Sequence, residues 1–386
     1  MTHRLLLSCG EPSGDLYAGA LTRELRASIP DLSIAGLGGP EFASAGGELI
    51  ADYRGLAVTG LTEALSKVPQ SLSTLRSLTA AARRDRPSAL IVIDFPDFNL
   101  PLARRVKRLG IPVVYYIGPQ VWAWRASRLK TIAAVASRVL VIFPFEEQVY
   151  REAGIPVEFV GHPLVEIARP SMPKPAFLHR LGLDAGQPVV AVLPGSRPNE
   201  IGRLLPDLLS ACRLIQARLP SVQFLLARAP NLDDQLFAAS RDMTALRLVD
   251  GETDAVLASA DVALTASGTA TVQAALHDTP MVVVYRLSPL TYRLGRRLVR
   301  VNMFAMVNLI AGERIVPELI QDAFTPQAAA EEALSMLTNA SRTSTIRAGL
   351  ARVRQRLGGP GASRRAAAAI VQAAGWVPPA ASRESA

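Results

Sequence analysis

Residues 262–276, VALTASGTATVQAAL, leave the chain few ways to fold. A short apolar run stops at Ser267-Gly268-Thr269, and an alanine-rich pattern of helical type follows at once. This predicts a strand, a tight turn and a helix. Backbone N–H groups at a helix start have no intrahelical partner and carry the positive end of the helix dipole, so the turn can hold a phosphate. Gly268 allows close approach of an anion. A Ser/Thr cap on an ordinary core helix is the competing reading. Residues 189–193 form a second buried-strand run, ending in Pro194-Gly195-Ser196-Arg197-Pro198-Asn199-Glu200. Here small residues again stand at the carboxyl end of a strand, with an arginine able to fork onto phosphate oxygens. Two such turns in one parallel sheet converge on one crevice.

Runs of this kind recur along the whole chain, and 386 residues exceed what one hydrophobic core serves, so two domains are expected. The linker falls at RPSMPKP, residues 169–175, with three prolines in seven positions. This gives a first domain over 1–168, a second over 169–345, C-terminal helices over 346–374 packing back on the first, and a disordered tail over 375–386. Alternating strands and helices in both halves imply an α/β fold of two doubly wound parallel sheets.

The 42 basic and 33 acidic side chains give a net charge of +9, which favours anionic partners. Aromatic residues are only 5% of the chain and are not interleaved with basic ones, which argues against nucleic acid. Cys9 and Cys212 stand far apart in no metal-binding spacing, as in a reducing compartment. No stretch of eighteen apolar residues lacks a charge, so a cytoplasmic protein attached at most to a membrane face is expected.

Along the first half, residues 4–8 lead into Gly10-Glu11-Pro12-Ser13-Gly14-Asp15, a glycine-containing strand-to-helix turn without dinucleotide spacing. Leu61, Leu65, Val68, Leu72, Leu75 and Leu78 form one helical stripe that Pro69 should break or kink. Its other face carries Lys67, Arg76, Arg83 and Arg84, so the stripe is either a cover for the sheet or an interfacial helix on anionic lipid. Residues 89–93 deliver Asp94 to a strand end, as a general base or as a loop-capping aspartate. Pro96 should hold Phe95 extended and make a loop there. The loop 118–125 gathers Gln120, Trp122, Trp124 and Arg125, for contact with a sugar or acyl group in preference to the competing reading of plain core packing. His162, between glycine and proline, is open to a catalytic or a turn-locking role, the turn lock preferred. The arginines Arg286, Arg293, Arg296, Arg297 and Arg300 are either a solvated face or an attractor of phosphates and anionic membrane.

GEPSGD at 10–15, DFPDFN at 94–99, PQVWAWR at 119–125, GHP at 161–163, LPGSR at 193–197, ASGTAT at 266–271 and NLIAG at 308–312, in this order, closely resemble lipid-A-disaccharide synthase. The resemblance implies a GT-B glycosyltransferase: two Rossmann-like domains facing a central cleft. It implies an inverting transfer from UDP-2,3-diacylglucosamine to 2,3-diacylglucosamine 1-phosphate, giving a β(1→6) disaccharide 1-phosphate and UDP. It places the general base at Asp94 and donor contacts at Gly195, Ser196, Arg197, Ser267, Gly268, Thr269, Gln273 and Asn308. Acceptor and sugar contacts fall on Ser13, Gly14, Asp15, Gln120, Trp122 and Arg125. No cofactor or metal is expected, because arginine and helix charges stand where a divalent ion would. The implied partners are the two lipid substrates and the anionic inner membrane surface; a homodimer stays open. Where the family usually has glutamate this chain has Gln273, its Arg-Glu after NLIAG is here Glu313-Arg314, and its Leu-Pro before the asparagine is Met306-Val307. Another GT-B UDP-sugar transferase or epimerase, and a catalytically silent UDP- or lipid-binding relative, are the alternative readings.

Overall fold

The computed structural model describes residues 3–56, 61–119, 127–230, 232–287 and 303–376. The chain forms two compact units, Met1–Pro163 with Leu357–Ala386, and Leu164–Arg356. The boundary therefore lies ahead of the proline-rich stretch 169–175, which is part of the second unit and runs into the helix Lys174–Arg180.

In the first unit, β1 (Arg4–Cys9), β2 (Ser33–Gly38), β3 (Glu48–Asp52), β4 (Ala89–Ile93), β5 (Val113–Tyr116), β6 (Arg138–Val141) and β7 (Val157–Phe159) make one sheet in the order β3-β2-β1-β4-β5-β6-β7. Every pairing is parallel. The central strands carry continuous apolar runs because helices cover both faces, and β4 and β5 are buried at every residue. One face packs Leu90, Val92, Val113, Tyr115 and Val139 against Leu75, Leu78, Leu102 and Val106 from the helices Leu61–Asp85 and Pro96–Lys107.

The helix Leu61–Asp85 runs through Pro69 without the expected break. Pro69 is exposed, so water can replace the bond that its missing N–H removes. Phe95 also departs from expectation: it is left-handed, with φ 46° and ψ 54°, and a helix starts directly at Pro96. Proline disfavours only the right-handed region for the residue before it, and its own fixed φ suits the first helical position.

In the second unit, β8 (Val189–Leu193), β9 (Gln223–Arg228), β10 (Leu246–Asp250), β11 (Val262–Ala266), β12 (Met281–Tyr285) and β13 (Glu318–Ile320) follow the order β10-β9-β8-β11-β12-β13, again all parallel. The helix Pro198–Arg218 packs against Pro326–Thr338 on this sheet. The C-terminal helices divide. Ala340–Arg356 stays with the second unit, burying Ile346, Leu350 and Val353 against its helices. Ala362–Ala373 packs on the helix Pro12–Ser28 of the first. Of the C-terminal tail, Trp376 is held edge-on to His3, ring centroids 4.7 Å apart, and residues 377–386 lie outside the described residues.

Candidate active site

In each sheet the strand order reverses once, between β1 and β4 in the first unit and between β8 and β11 in the second. Loops at the carboxyl ends of the two strands beside such a reversal diverge to opposite faces and leave a crevice for ligand. The motifs GEPSGD and DFPDFN follow β1 and β4; LPGSR and ASGTAT close β8 and β11. Four of the seven motifs thus stand at the two reversal points, each pair within its own unit.

In the first unit Asp94 follows β4 with φ 43°, beside Phe95 at 46°. Its main chain is held on both sides: Asp94 N–H donates to the Ile117 carbonyl at 3.1 Å, and the Tyr115 hydroxyl donates to the Asp94 carbonyl at 2.9 Å. The residue is half-buried, and its carboxylate is felt by its neighbours. Burial first, and Asp94 second, push the Tyr17 and Tyr115 phenols up. The Phe95 ring lies over Gly10, where a Cβ would come within 2.1 Å of it, so glycine at the end of β1 lets the two motifs touch.

Asp15 is buried and its carboxylate faces inward. It accepts from the N–H groups of Gly39 at 2.7 Å, Glu41 at 2.9 Å and Phe42 at 3.1 Å, capping the short helix Pro40–Ser44. Three amide donors thus satisfy a buried carboxylate that would otherwise be costly. Ser13 is half-buried and Gly14 buried in the first turn of the helix Pro12–Ser28. Gln120, Trp122 and Arg125 lie outside the described residues. His162 is buried against Tyr17 and Phe143, its N–H donating to the Leu357 carbonyl at 2.8 Å. Burial lowers its pKa to about 3, so at neutral pH it is an uncharged packing group within a turn.

In the second unit Gly195 takes φ 117°, and the turn it opens cradles a carboxylate of the chain itself. Glu200 accepts from the Ser196 N–H at 3.1 Å and from Arg197 at 3.3 Å. The groups expected to grip a phosphate thus hold an anion of similar donor demand. Glu200 was not singled out from the sequence, although an acid three residues past a helix cap is a recognisable signal. At the ASGTAT turn, Gly268 and Thr269 are exposed at the start of the helix Thr269–Leu276. Ser267 is engaged inside the protein: its N–H donates to the Val284 carbonyl at 3.1 Å and its hydroxyl to the Phe304 carbonyl at 2.8 Å.

Asn308 is fully buried, and its amide holds the surrounding backbone. It donates to the Val316 carbonyl at 2.9 Å and Glu318 at 2.8 Å, and accepts from the N–H groups of Ile315 at 2.9 Å and Val316 at 3.1 Å. That set fills its hydrogen-bonding capacity and supports the backbone around it. Glu318, missed in the sequence because nothing local marks it, accepts from the N–H groups of Phe304 and Ala305. Gln273 donates to Asp254 at 3.1 Å, and His277 shares that same oxygen at 2.8 Å. A glutamate at 273 would set two carboxylates face to face here. Arg286 is likewise spent internally, on Asp207, the Phe324 carbonyl and the Phe324 ring.

A family model described as lipid-A-disaccharide synthetase matches residues 5–373. The chain belongs to the lipid-A-disaccharide synthetase family. Lipid-A-disaccharide synthase of Myxococcus xanthus is 42% identical over 371 residues, covering 96% of this chain and 97% of that one. The Anaeromyxobacter dehalogenans enzyme of the same name is 44% identical over 375 residues, with 96% and 97% covered. As a member of this family the protein is a glycosyltransferase of lipid A biosynthesis. Solved structures with the same fold include UDP-GlcNAc 2-epimerase from Neisseria meningitidis, bound to UDP-GlcNAc, with TM-score 0.68 at 11% identity and coverage of 96% and 100%. The calicheamicin glycosyltransferase CalG4 has TM-score 0.60 at 17% identity, with 98% and 100% covered. At such identities they speak for the GT-B fold alone.

Proposed function

We propose that the enzyme transfers a 2,3-diacylglucosamine unit from UDP to the 6-hydroxyl of 2,3-diacylglucosamine 1-phosphate, with inversion at C1. Asp94 accepts the proton of the attacking hydroxyl, the C1–O bond to UDP breaks, and the new β(1→6) bond forms on the opposite face. Negative charge grows on the departing diphosphate as C1 becomes oxocarbenium-like. Arg197, the Ser196 N–H and the amides at Gly268 and Thr269 are the groups suited to stabilise it. The observation that carries this reading is the placement of Asp94 at the carboxyl end of β4, beside the strand-order reversal.

Turnover independent of divalent metal follows from this assignment, because arginine and helix amides supply the positive charge. The test is release of UDP from the two acylated substrates in the presence of chelator, comparing the unaltered chain with Asp94→Asn. Release should need both lipids, survive chelation and fall by 100-fold or more, on the order of what a general base contributes, in the variant. Release abolished by chelator would remove the metal-free reading, and full activity in Asp94→Asn would remove the base.

The acyl chains require access to a lipid surface. The helix Leu61–Asp85 offers Val68 and Leu72, 46% and 42% exposed, with Arg76 and Arg83 exposed on the same helix. This combination suits attachment to anionic lipid at the cytoplasmic face of the inner membrane. Among the described residues no helix is long and apolar enough to cross a membrane.

A further inference from the structure

Asn99 lies in the first turns of the helix Pro96–Lys107 and is wholly buried. Its side-chain nitrogen donates to the Asp94 carbonyl at 2.8 Å, to the Ile93 carbonyl at 3.1 Å and, more weakly, to the Ser8 carbonyl at 3.3 Å. Its oxygen accepts the Ser8 hydroxyl at 2.6 Å. One amide therefore ties the carboxyl ends of β1 and β4 together at the strand-order reversal and grips the peptide that leaves Asp94. The Tyr115 hydroxyl, from β5, donates to the same Asp94 carbonyl at 2.9 Å. These contacts fall where the backbone is least comfortable: Asp94 and Phe95 are consecutive left-handed residues with side chains, at φ 43° and 46°. Such a conformation persists only where surrounding contacts over-determine it. A buried amide here could simply satisfy strand-end carbonyls. Two independent side-chain donors converging on one carbonyl, that of the strained aspartate, say more.

We propose that Asn99, seconded by Tyr115, is a positioning residue for the transfer: it locks the left-handed Asp94 main chain and so fixes where the Asp94 carboxylate stands relative to the acceptor hydroxyl. The proposal rests on the reading of Asp94 as general base. It needs no contact between Asn99 and substrate, so loss of Asn99 should slow the chemical step and leave substrate binding alone.

The experiment measures kcat and KM for both lipid substrates, UDP affinity and thermal melting in Asn99→Ala, Tyr115→Phe and Asp94→Asn. Asn99→Ala should lower kcat on the order of 10- to 100-fold, with KM values and UDP affinity within about twofold of the unaltered chain. Tyr115→Phe, which removes one hydroxyl and keeps the ring, should lower kcat several-fold; it decides the matter if Asn99→Ala does not fold. A kcat unchanged in the folded variant, or a loss carried by KM or by the folded fraction, overturns the proposal. If Asp94→Asn keeps full kcat, the base assignment fails and takes the proposal with it. If Asp94→Asn is inactive while the other two turn over normally, only the positioning role fails.

Discussion

Among the described residues, chain neighbours aside, a methyl group at Gly268 would meet no atom within 4 Å, and the backbone there is extended, at φ 161°. Nothing among the described residues asks for glycine at that position. If the glycine matters, it matters to a ligand approaching the amides of the helix Thr269–Leu276. Gly268→Ala should therefore melt with the unaltered chain and bind UDP about tenfold more weakly, about 1.4 kcal/mol, by calorimetric titration. Unchanged affinity would take this turn out of the diphosphate site. Two buried polar side chains behave differently. Asp15 and Asn308 spend their oxygens on backbone N–H groups, and Asn308 gives its amide hydrogens to the Val316 carbonyl and the Glu318 carboxylate, so both hold the surrounding loops in shape. Replacing either would damage the scaffold before any ligand was considered.

The helix Leu61–Asp85 divides along its length. Leu75 and Leu78 are 5% and 0% exposed and belong to the core of the first unit, whereas Val68 and Leu72 face outward. One helical stripe thus serves as sheet cover at its carboxyl end and as an apolar surface one to two turns earlier. Carboxylates at the exposed positions should change stability by no more than about 0.5 kcal/mol. On vesicles rich in anionic lipid, a Val68→Glu/Leu72→Glu chain should bind at least tenfold more weakly, measured by co-sedimentation. Undiminished binding would remove this helix from the membrane contact.

The fold repeats one plan twice, a doubly wound sheet whose single reversal of order brings two loops together, and the ends of the chain complete it unequally. The helix Ala362–Ala373 returns to the first unit and buries Ala362, Ala366, Ala367, Ile370 and Val371 there. Ending the chain at Arg356 would uncover the helix Pro12–Ser28 and cost the first unit on the order of 5 kcal/mol, comparable to the whole stability of many domains. The second unit, Leu164–Arg356, would keep its own core. Such a truncated chain should still bind UDP by titration while losing all turnover and the calorimetric transition of the first unit. Loss of UDP binding would show that the second unit does not hold the donor alone.

By itself the sequence determined the alternation of strands and helices, the two sheets and the turns after β1, β4, β8 and β11, because continuous apolar runs ending in small residues are local patterns that a parallel sheet requires. The family was legible for the same reason, in seven motifs that each occupy a few consecutive residues. Which side chains are spent on the fold was decided only by tertiary structure. Asp15 meets Gly39 and Phe42 across 24 and 27 residues, and Ser8 meets Asn99 across 91. Contacts at such separations leave no trace in spacing. The left-handed turn at Asp94 and Phe95 was hidden likewise, since a neighbouring proline excludes one backbone region without choosing between the others. Asn99, five residues on, and Tyr115, 21 residues on, both donate to the Asp94 carbonyl within that turn.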